Sequence, residues 1–144
     1  MTIGELTLGR YEEVLALFRR TPGVSVREAD SREATARYLA RNPGLSFIAE
    51  GEDGRVIGCA MCGHDGRRGY LQHVVVEAAH RGGGVAHALV TRCLDGLKEL
   101  GIVKVHIDVL VTNDLANEYW ARRGWQRRDD LHRYSFLNSE DANA

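Results

Sequence analysis

The chain is poor in proline (two residues) and cysteine (three), and it has no surplus of charge of either sign, 19 Lys+Arg standing against 20 Asp+Glu in 144 residues. Long apolar runs are also missing. Each shortage excludes something. The cysteines Cys59, Cys62 and Cys93 are odd in number and accompany no secretion signal, so a disulfide framework is not expected and they read as reduced thiols. A formal net charge of −1 argues against a chain that lives on nucleic acid or on anionic membrane, because both require an excess of Lys and Arg to neutralise phosphates. The longest nearly apolar stretches reach about ten residues, half of the roughly 20 that a spanning helix needs. Met1-Thr2-Ile3-Gly4-Glu5 is not a charged-then-apolar leader, so the expected compartment is the cytoplasm. A domain of this length buries roughly two-thirds of its unfolded surface, enough for a core without staples.

What is present is glycine, 16 residues of it, in the pattern of regular elements joined by tight turns. Tyr11, Val14, Leu15 and Phe18 recur at spacings of three and four and end at Thr21-Pro22-Gly23, which predicts a helix over 10–20. A second helix is predicted from Ser31 to Arg41, with Ser31 as a cap and Asn42-Pro43-Gly44 as the stop. The period then changes. Short apolar or β-branched runs at 45–50, 56–62 and 70–76, separated by Glu52-Asp53-Gly54 and Asp65-Gly66, predict an antiparallel three-stranded meander. Asp-Gly predicts a tight type I′ hairpin turn, which needs positive φ at both central residues. Ala86, Leu89, Val90, Cys93, Leu97 and Leu100 mark a long helix that stops at Gly101. A strand over 102–111, a short helix over 113–123 and a strand beginning at Gly124-Trp125 follow. A right-handed crossover makes the strands at 70–76 and 102–111 parallel neighbours. The expectation is a single mixed α+β domain over 1–137, with a frayed polar tail over 138–144.

Arg81-Gly82-Gly83-Gly84-Val85-Ala86 lies between a strand and the first turn of the longest helix. The first turn of a helix leaves amide hydrogens unpaired and carries about half a positive charge. Glycines let an oxygen-rich anion approach those amides with no Cβ in the way, so the run suits a phosphate or pyrophosphate. A plain tight turn is the other reading. The run lacks the Gly-Lys-Ser/Thr end of a P-loop, and it lacks the acidic residue of a dinucleotide fingerprint.

The run resembles the Arg/Gln-x-x-Gly-x-Gly/Ala signature of the GNAT superfamily of N-acetyltransferases. Val74-Val75-Val76 before it, and Asn113-x-x-Ala116 with Gly124-Trp125 after it, are similar to that family's splayed strand and second motif. The resemblance covers about residues 45 to 136. It implies the GNAT-like fold: two N-terminal helices, the antiparallel meander, the strand–helix–strand crossover, a further helix and one or more C-terminal strands. It also implies an acetyl-CoA site. The pyrophosphate would lie on the amides of Gly82, Gly83, Gly84, Val85, Ala86 and His87, with Arg81 as countercharge. The pantetheine arm would pair like an added strand with Val74, Val75 and Val76. Asn113 would touch the pantetheine or serve as an N-cap.

Acetyl transfer needs a neutral amine, whereas an alkylammonium has a pKa of about 10.4, so a base is useful. His73, immediately before Val74, and Asp108, five residues before Asn113, are the candidates; His73 is attractive because an ordinary imidazole titrates at about pH 6.5. In related enzymes a Tyr seven residues after the Asn acts as acid, but that position is Trp120. An indole N–H donates hydrogen bonds without acting as an acid. Tyr119 lies about 100° around the helix, so it reaches the site only if the helix is rotated and otherwise packs in the core. Trp120 is then expected to line the pantetheine or acceptor cavity.

Cys59 and Cys62 are three apart on a strand and face opposite sides, so no metal is expected. Cys93 falls on the core stripe, which disfavours a covalent route through it. The implied function is transfer of the acetyl group of acetyl-CoA to a primary amine of a small molecule or peptide, by direct attack in a ternary complex. A non-catalytic acyl-CoA sensor and transfer of a different acyl group are the alternatives. The expected partners are acetyl-CoA and the amine, with no nucleic acid and no membrane. The acceptor is expected to lie among residues 20–40, 63–70 and 126–132, and the C-terminal strands leave room for a homodimer.

Overall fold

The computed structural model describes residues 1–144, and its internal contacts divide into two compact units, Met1–Ile107 and Asp108–Ala144. The first unit is built on a five-stranded sheet: β1 (Thr2–Glu5), β2 (Phe47–Glu50), β3 (Val56–His64), β4 (Gly69–Val76) and β5 (Val105–Ile107). The strands stand side by side in chain order, antiparallel from β1 to β4, and β5 joins β4 in parallel. The mixed α+β architecture and the parallel crossover are as the sequence predicts. The four-residue β1 lies outside the sequence reading, because a single turn of alternation is too short a signal beside the helix that follows it.

Helix α1 (Tyr11–Arg19) buries Tyr11, Val14, Leu15, Leu17 and Phe18, and α2 (Arg32–Arg41) starts where the Ser31 hydroxyl accepts the N–H of Ala34 at 3.1 Å. Val14, Leu17 and Phe18 pack with Leu6, Ile48, Val56, Cys59, Met61 and Val75 in one core cluster. Helix α3 (Val85–Glu99) packs on β3 and β4 and buries Leu89, Val90, Cys93 and Leu97. Side chains of Val85, Leu89 and Leu97 approach so closely that a Cβ on Gly58 would meet Val85 at 3.0 Å and one on Gly69 would meet Leu97 at 2.6 Å. With a helical layer against each of its faces, the first eight residues of β3 are all buried.

Three expectations are corrected. The β3–β4 hairpin does not close in a type I′ turn: Gly66 alone has positive φ (+92°), and the Asp65 carboxylate accepts the N–H of both Arg67 and Arg68 at 2.8 Å, tying a four-residue loop. The strand predicted over 102–111 is only three residues long, since Gly101-Ile102 turns back onto the Leu97 carbonyl and the chain leaves the ladder after Ile107. The strand predicted from Gly124 does not form. Gly124 and Trp125 donate to carbonyls of the preceding helix, and no element follows. Strand propensity acts through cross-strand neighbours, and without them Tyr134 and Phe136 are each 91% exposed.

The second unit is organised by α4 (Asp114–Arg122), capped by the Asn113 side chain on the N–H of Ala116. Trp120 is its buried residue, edge-on to Tyr119 and Trp125 with ring centroids 5.1 and 4.8 Å away. No helix of the chain is long and apolar enough to cross a membrane.

Candidate active site

Parallel pairing of β4 with β5 involves only Gly69, Tyr70 and Leu71. Beyond Leu71, β4 continues for five residues with no strand on that side, so the backbone from Gln72 to Val76 presents an open edge. On its other side β4 is bulged. Cys59 pairs with Val75 and Met61 with Gln72, so that His73 and Val74 together oppose Ala60. At the bulge His73 takes φ of +46°, the one residue other than glycine with positive φ. This conformation is costly for a side chain that carries a Cβ and is held here by the surrounding contacts.

The His73 ring stacks on Phe18 of α1 with centroids 4.4 Å apart, and its Nε2 lies 2.7 Å from Oδ1 of Asp30. Asp30 ends a single 3₁₀ turn (Glu28–Asp30) before α2 and is buried. Its second oxygen accepts the backbone N–H of Arg27 at 2.8 Å, and its carbonyl accepts the Tyr11 hydroxyl at 2.6 Å. Burial opposes ionisation of this carboxyl, but the hydrogen bond from His73, the Arg27 N–H and the charge of His73 outweigh it and hold its pKa below the ordinary value. Asp30 was not singled out in the sequence. It stands 43 residues from His73, and no local pattern joins a 3₁₀ turn to a strand bulge.

From Val76 the chain passes through Glu77 and a short turn (Ala78–His80) into the glycine run. Gly82 and Gly84 have φ of +82° and +83°, values that only glycine adopts readily. Gly84 is the N-cap of α3, with no side chain capping the helix and no acidic residue in its first turn. No capping side chain and no first-turn carboxylate therefore offsets the positive end of the helix dipole, and an added Cβ at Gly82 or Gly84 is what the φ values exclude. The residues present fit the pyrophosphate of acetyl-CoA. Arg81 is exposed and its Nε donates to the Val76 carbonyl at 3.1 Å, which keeps the cation at the junction of strand and loop.

Asp108 lies just past the end of β5, exposed, its carboxylate paired with Arg133 at 2.9 Å. In α4, Tyr119 is half exposed with the Arg123 guanidinium 5.3 Å from its ring centre, and Trp120 is the buried member of the pair. The expectation that Tyr119 packs in the core is thus reversed, because the larger indole takes the inward position of the helix and meets Trp125. Cys59, Cys62 and Cys93 are free and buried. Burial pushes the Cys59 thiol up to about 12, and a hydrogen bond with Cys62, followed by burial, raises Cys93 strongly. Such thiols are poor nucleophiles. No group of three or more His, Cys, Asp or Glu side chains converges as metal ligands would.

The fold thus brings an open strand edge and a bare helix N-terminus next to each other in the chain. The sequence profile of the GNAT acetyltransferase family matches residues 11–125. The chain is 31% identical over 125 residues to N-alpha-acetyltransferase 30 of Schizosaccharomyces pombe, covering 80% of this chain and 82% of that protein. It is 30% identical over 121 residues to the acetyltransferase SG1711 of Sodalis glossinidius, covering 84% of each. Its fold is similar to that of the aminoglycoside 6'-N-acetyltransferase AAC(6')-IG of Acinetobacter haemolyticus, with a TM-score of 0.76 at 20% identity over 96% of this chain and all of that one. The chain belongs to the GNAT acetyltransferase family. It is an N-acetyltransferase, of a family that takes its acetyl group from acetyl-CoA.

Proposed function

We propose that the chain transfers the acetyl group of acetyl-CoA directly to a primary amine of a small molecule or peptide, with donor and acceptor bound together and no acyl-enzyme formed. The observation that carries this reading is the unpaired β4 edge from Gln72 to Val76 running into the uncapped start of α3. The pantetheine amides pair with Val74, Val75 and Val76, and the pyrophosphate rests on the amides of Gly82 through His87, with Arg81 as countercharge. A backbone N–H of the same edge faces the thioester oxygen, where negative charge develops in the transition state.

His73 is the base in this reading. The acceptor ammonium gives one proton to the imidazole, its nitrogen attacks the thioester carbon, the C–N bond forms and the C–S bond breaks. The second N–H proton goes to the departing thiolate to give the CoA thiol. A CoA thiol resembles that of cysteine, with a pKa of about 8.5, so it leaves without a strong acid. The reading therefore does not require the Tyr that Trp120 replaces. Asp108, whose charge is engaged by Arg133, is the second candidate for the base. The raised thiols of Cys59 and Cys93 support direct attack over a covalent route.

The test measures CoA thiol release and acetylated product over a panel of amines. The panel begins with peptides bearing a free α-amino group, because the fungal relative is named for that chemistry, and extends to polyamines and amino sugars. Acetyl-CoA is compared with longer acyl-CoAs. Thiol release matched by acetylated product with at least one amine is expected. Acetyl-CoA binding with no thiol release across the panel overturns the reading.

A further inference from the structure

We propose that Asp30 is a positioning residue for His73, fixing which ring nitrogen receives the proton of the acceptor amine. This rests on the reading of His73 as base. Both oxygens of the buried Asp30 carboxylate are occupied, one by the Arg27 N–H at 2.8 Å and the other by His73 Nε2 at 2.7 Å. An ionised carboxylate only accepts hydrogen bonds, so Nε2 must carry the hydrogen. A neutral imidazole has one N–H. Nδ1 is therefore the nitrogen with the lone pair, and Asp30 is the ring's one hydrogen-bond partner in the protein.

Three further contacts make the pair rigid. Phe18 stacks on the ring, the Tyr11 hydroxyl anchors the Asp30 backbone at 2.6 Å, and the β4 bulge holds His73 at φ of +46°. Tyr11 of α1 touches the pair through its hydroxyl and Arg27 through its backbone N–H, while Glu12, Arg19 and Arg32 act on Tyr11, the Arg32 guanidinium lying over its ring at 5.8 Å. The one side chain that bonds to the Asp30 carboxylate is His73. The pair stands immediately before Val74, at the start of the edge where the donor lies. When His73 takes the amine proton at Nδ1 it becomes an imidazolium, and the Asp30 carboxylate already faces its Nε2–H. After the amide forms, that proton passes to solvent and the neutral ring returns to the same tautomer. The arrangement orients a base through a second group, as catalytic triads do.

A double-mutant cycle tests the assignment. Asp30→Asn keeps the shape and removes the charge, and His73→Asn suits the site because Asn tolerates positive φ. We expect Asp30→Asn to lower kcat by at least about 10-fold while the KM for the amine and the acetyl-CoA affinity stay within about 2-fold, and to lower kcat no further in the His73→Asn background. Asp30 losses that are equal with and without His73 identify a merely structural carboxylate and overturn the proposal. Near-wild-type kcat in His73→Asn removes His73 as base, and the proposal with it. Loss in His73→Asn with full activity in Asp30→Asn overturns Asp30 alone. Should Asp30→Asn not fold, ¹⁵N NMR of the wild-type His73 ring at alkaline pH decides: an Nε2–H tautomer is expected, and an Nδ1–H tautomer overturns the assignment.

Discussion

At the scale of single residues the site depends on two unusual conformations, one glycine and one not. Gly84 sits at φ of +83° at the start of α3 with its amide among the free donors. Gly84→Glu should remove acetyl-CoA binding, since it puts a Cβ at a left-handed position and a negative charge at the cradle. The left-handed strain alone costs about 1–2 kcal/mol. The thermal midpoint with and without acetyl-CoA checks this. In the native chain, saturation at about 100 times Kd should stabilise by about 2.7 kcal/mol, and the variant should show no rise. A retained rise would remove the glycine run from the site. His73 has the second unusual conformation, and its partner Asp30 predicts an acid dependence. The Asp30 pKa is lowered on folding, so its stabilising contribution is complete above the unfolded value of about 3.9 and disappears as pH falls through the lower folded value. Thermal midpoints of native and Asp30→Asn protein should therefore converge below about pH 4. Curves that stay parallel to pH 2 would contradict the lowered pKa.

At the scale of elements, β4 does the positioning, and small residues set how near its neighbours come. A Cβ on Gly69 would stand 2.6 Å from Leu97, while one on Gly4 of β1 meets nothing within 4 Å. Gly69→Ala should therefore destabilise by about 1–3 kcal/mol through overpacking of α3 on β4. Gly4→Ala should be close to neutral, because Gly4 has neither a crowded Cβ position nor positive φ. Denaturant midpoints for the two variants check the contrast, and equal losses would mean that α3 yields freely. Much of this level was legible in the sequence. The stripe of Tyr11, Val14, Leu15 and Phe18 is a core face as read, and so are Leu89, Val90, Cys93 and Leu97 of the second, because a helix must repeat its apolar residues to bury one side; Ala86 at the start of that stripe is only partly buried and Leu100 at its end is 58% exposed. The bulge that turns His73 onto Phe18 was not legible, since it is a property of how two strands pair.

At the scale of the whole chain, protection against exchange should be uneven. The sheet, α1 and α3 carry most of the buried apolar side chains, whereas residues 126–140 belong to no helix or strand. Native-state hydrogen exchange should show β2, β3, β4 and α3 opening with the greatest free energy, and amides 126–140 exchanging at nearly unprotected rates. Protected amides at alternate residues of 131–137 would instead reveal a strand pairing absent from this structure. The sequence reading placed a strand there because strand-forming residues follow Gly124-Trp125, yet a strand exists only where another strand accepts it.

The sequence by itself determined the glycine-led helix start at which the donor is proposed to bind. The glycine run must precede a helix to expose its amides, and that local arrangement of backbone is written in six consecutive residues, Arg81 to Ala86. It also determined the order of helices and of the central strands, through periodicities that act over a few residues. Tertiary structure alone decided what stands beside His73. Asp30, Tyr11 and Phe18 come from segments 43 to 62 residues away in sequence (73 − 30 and 73 − 11), and such contacts follow from how the layers pack rather than from any local preference of the chain.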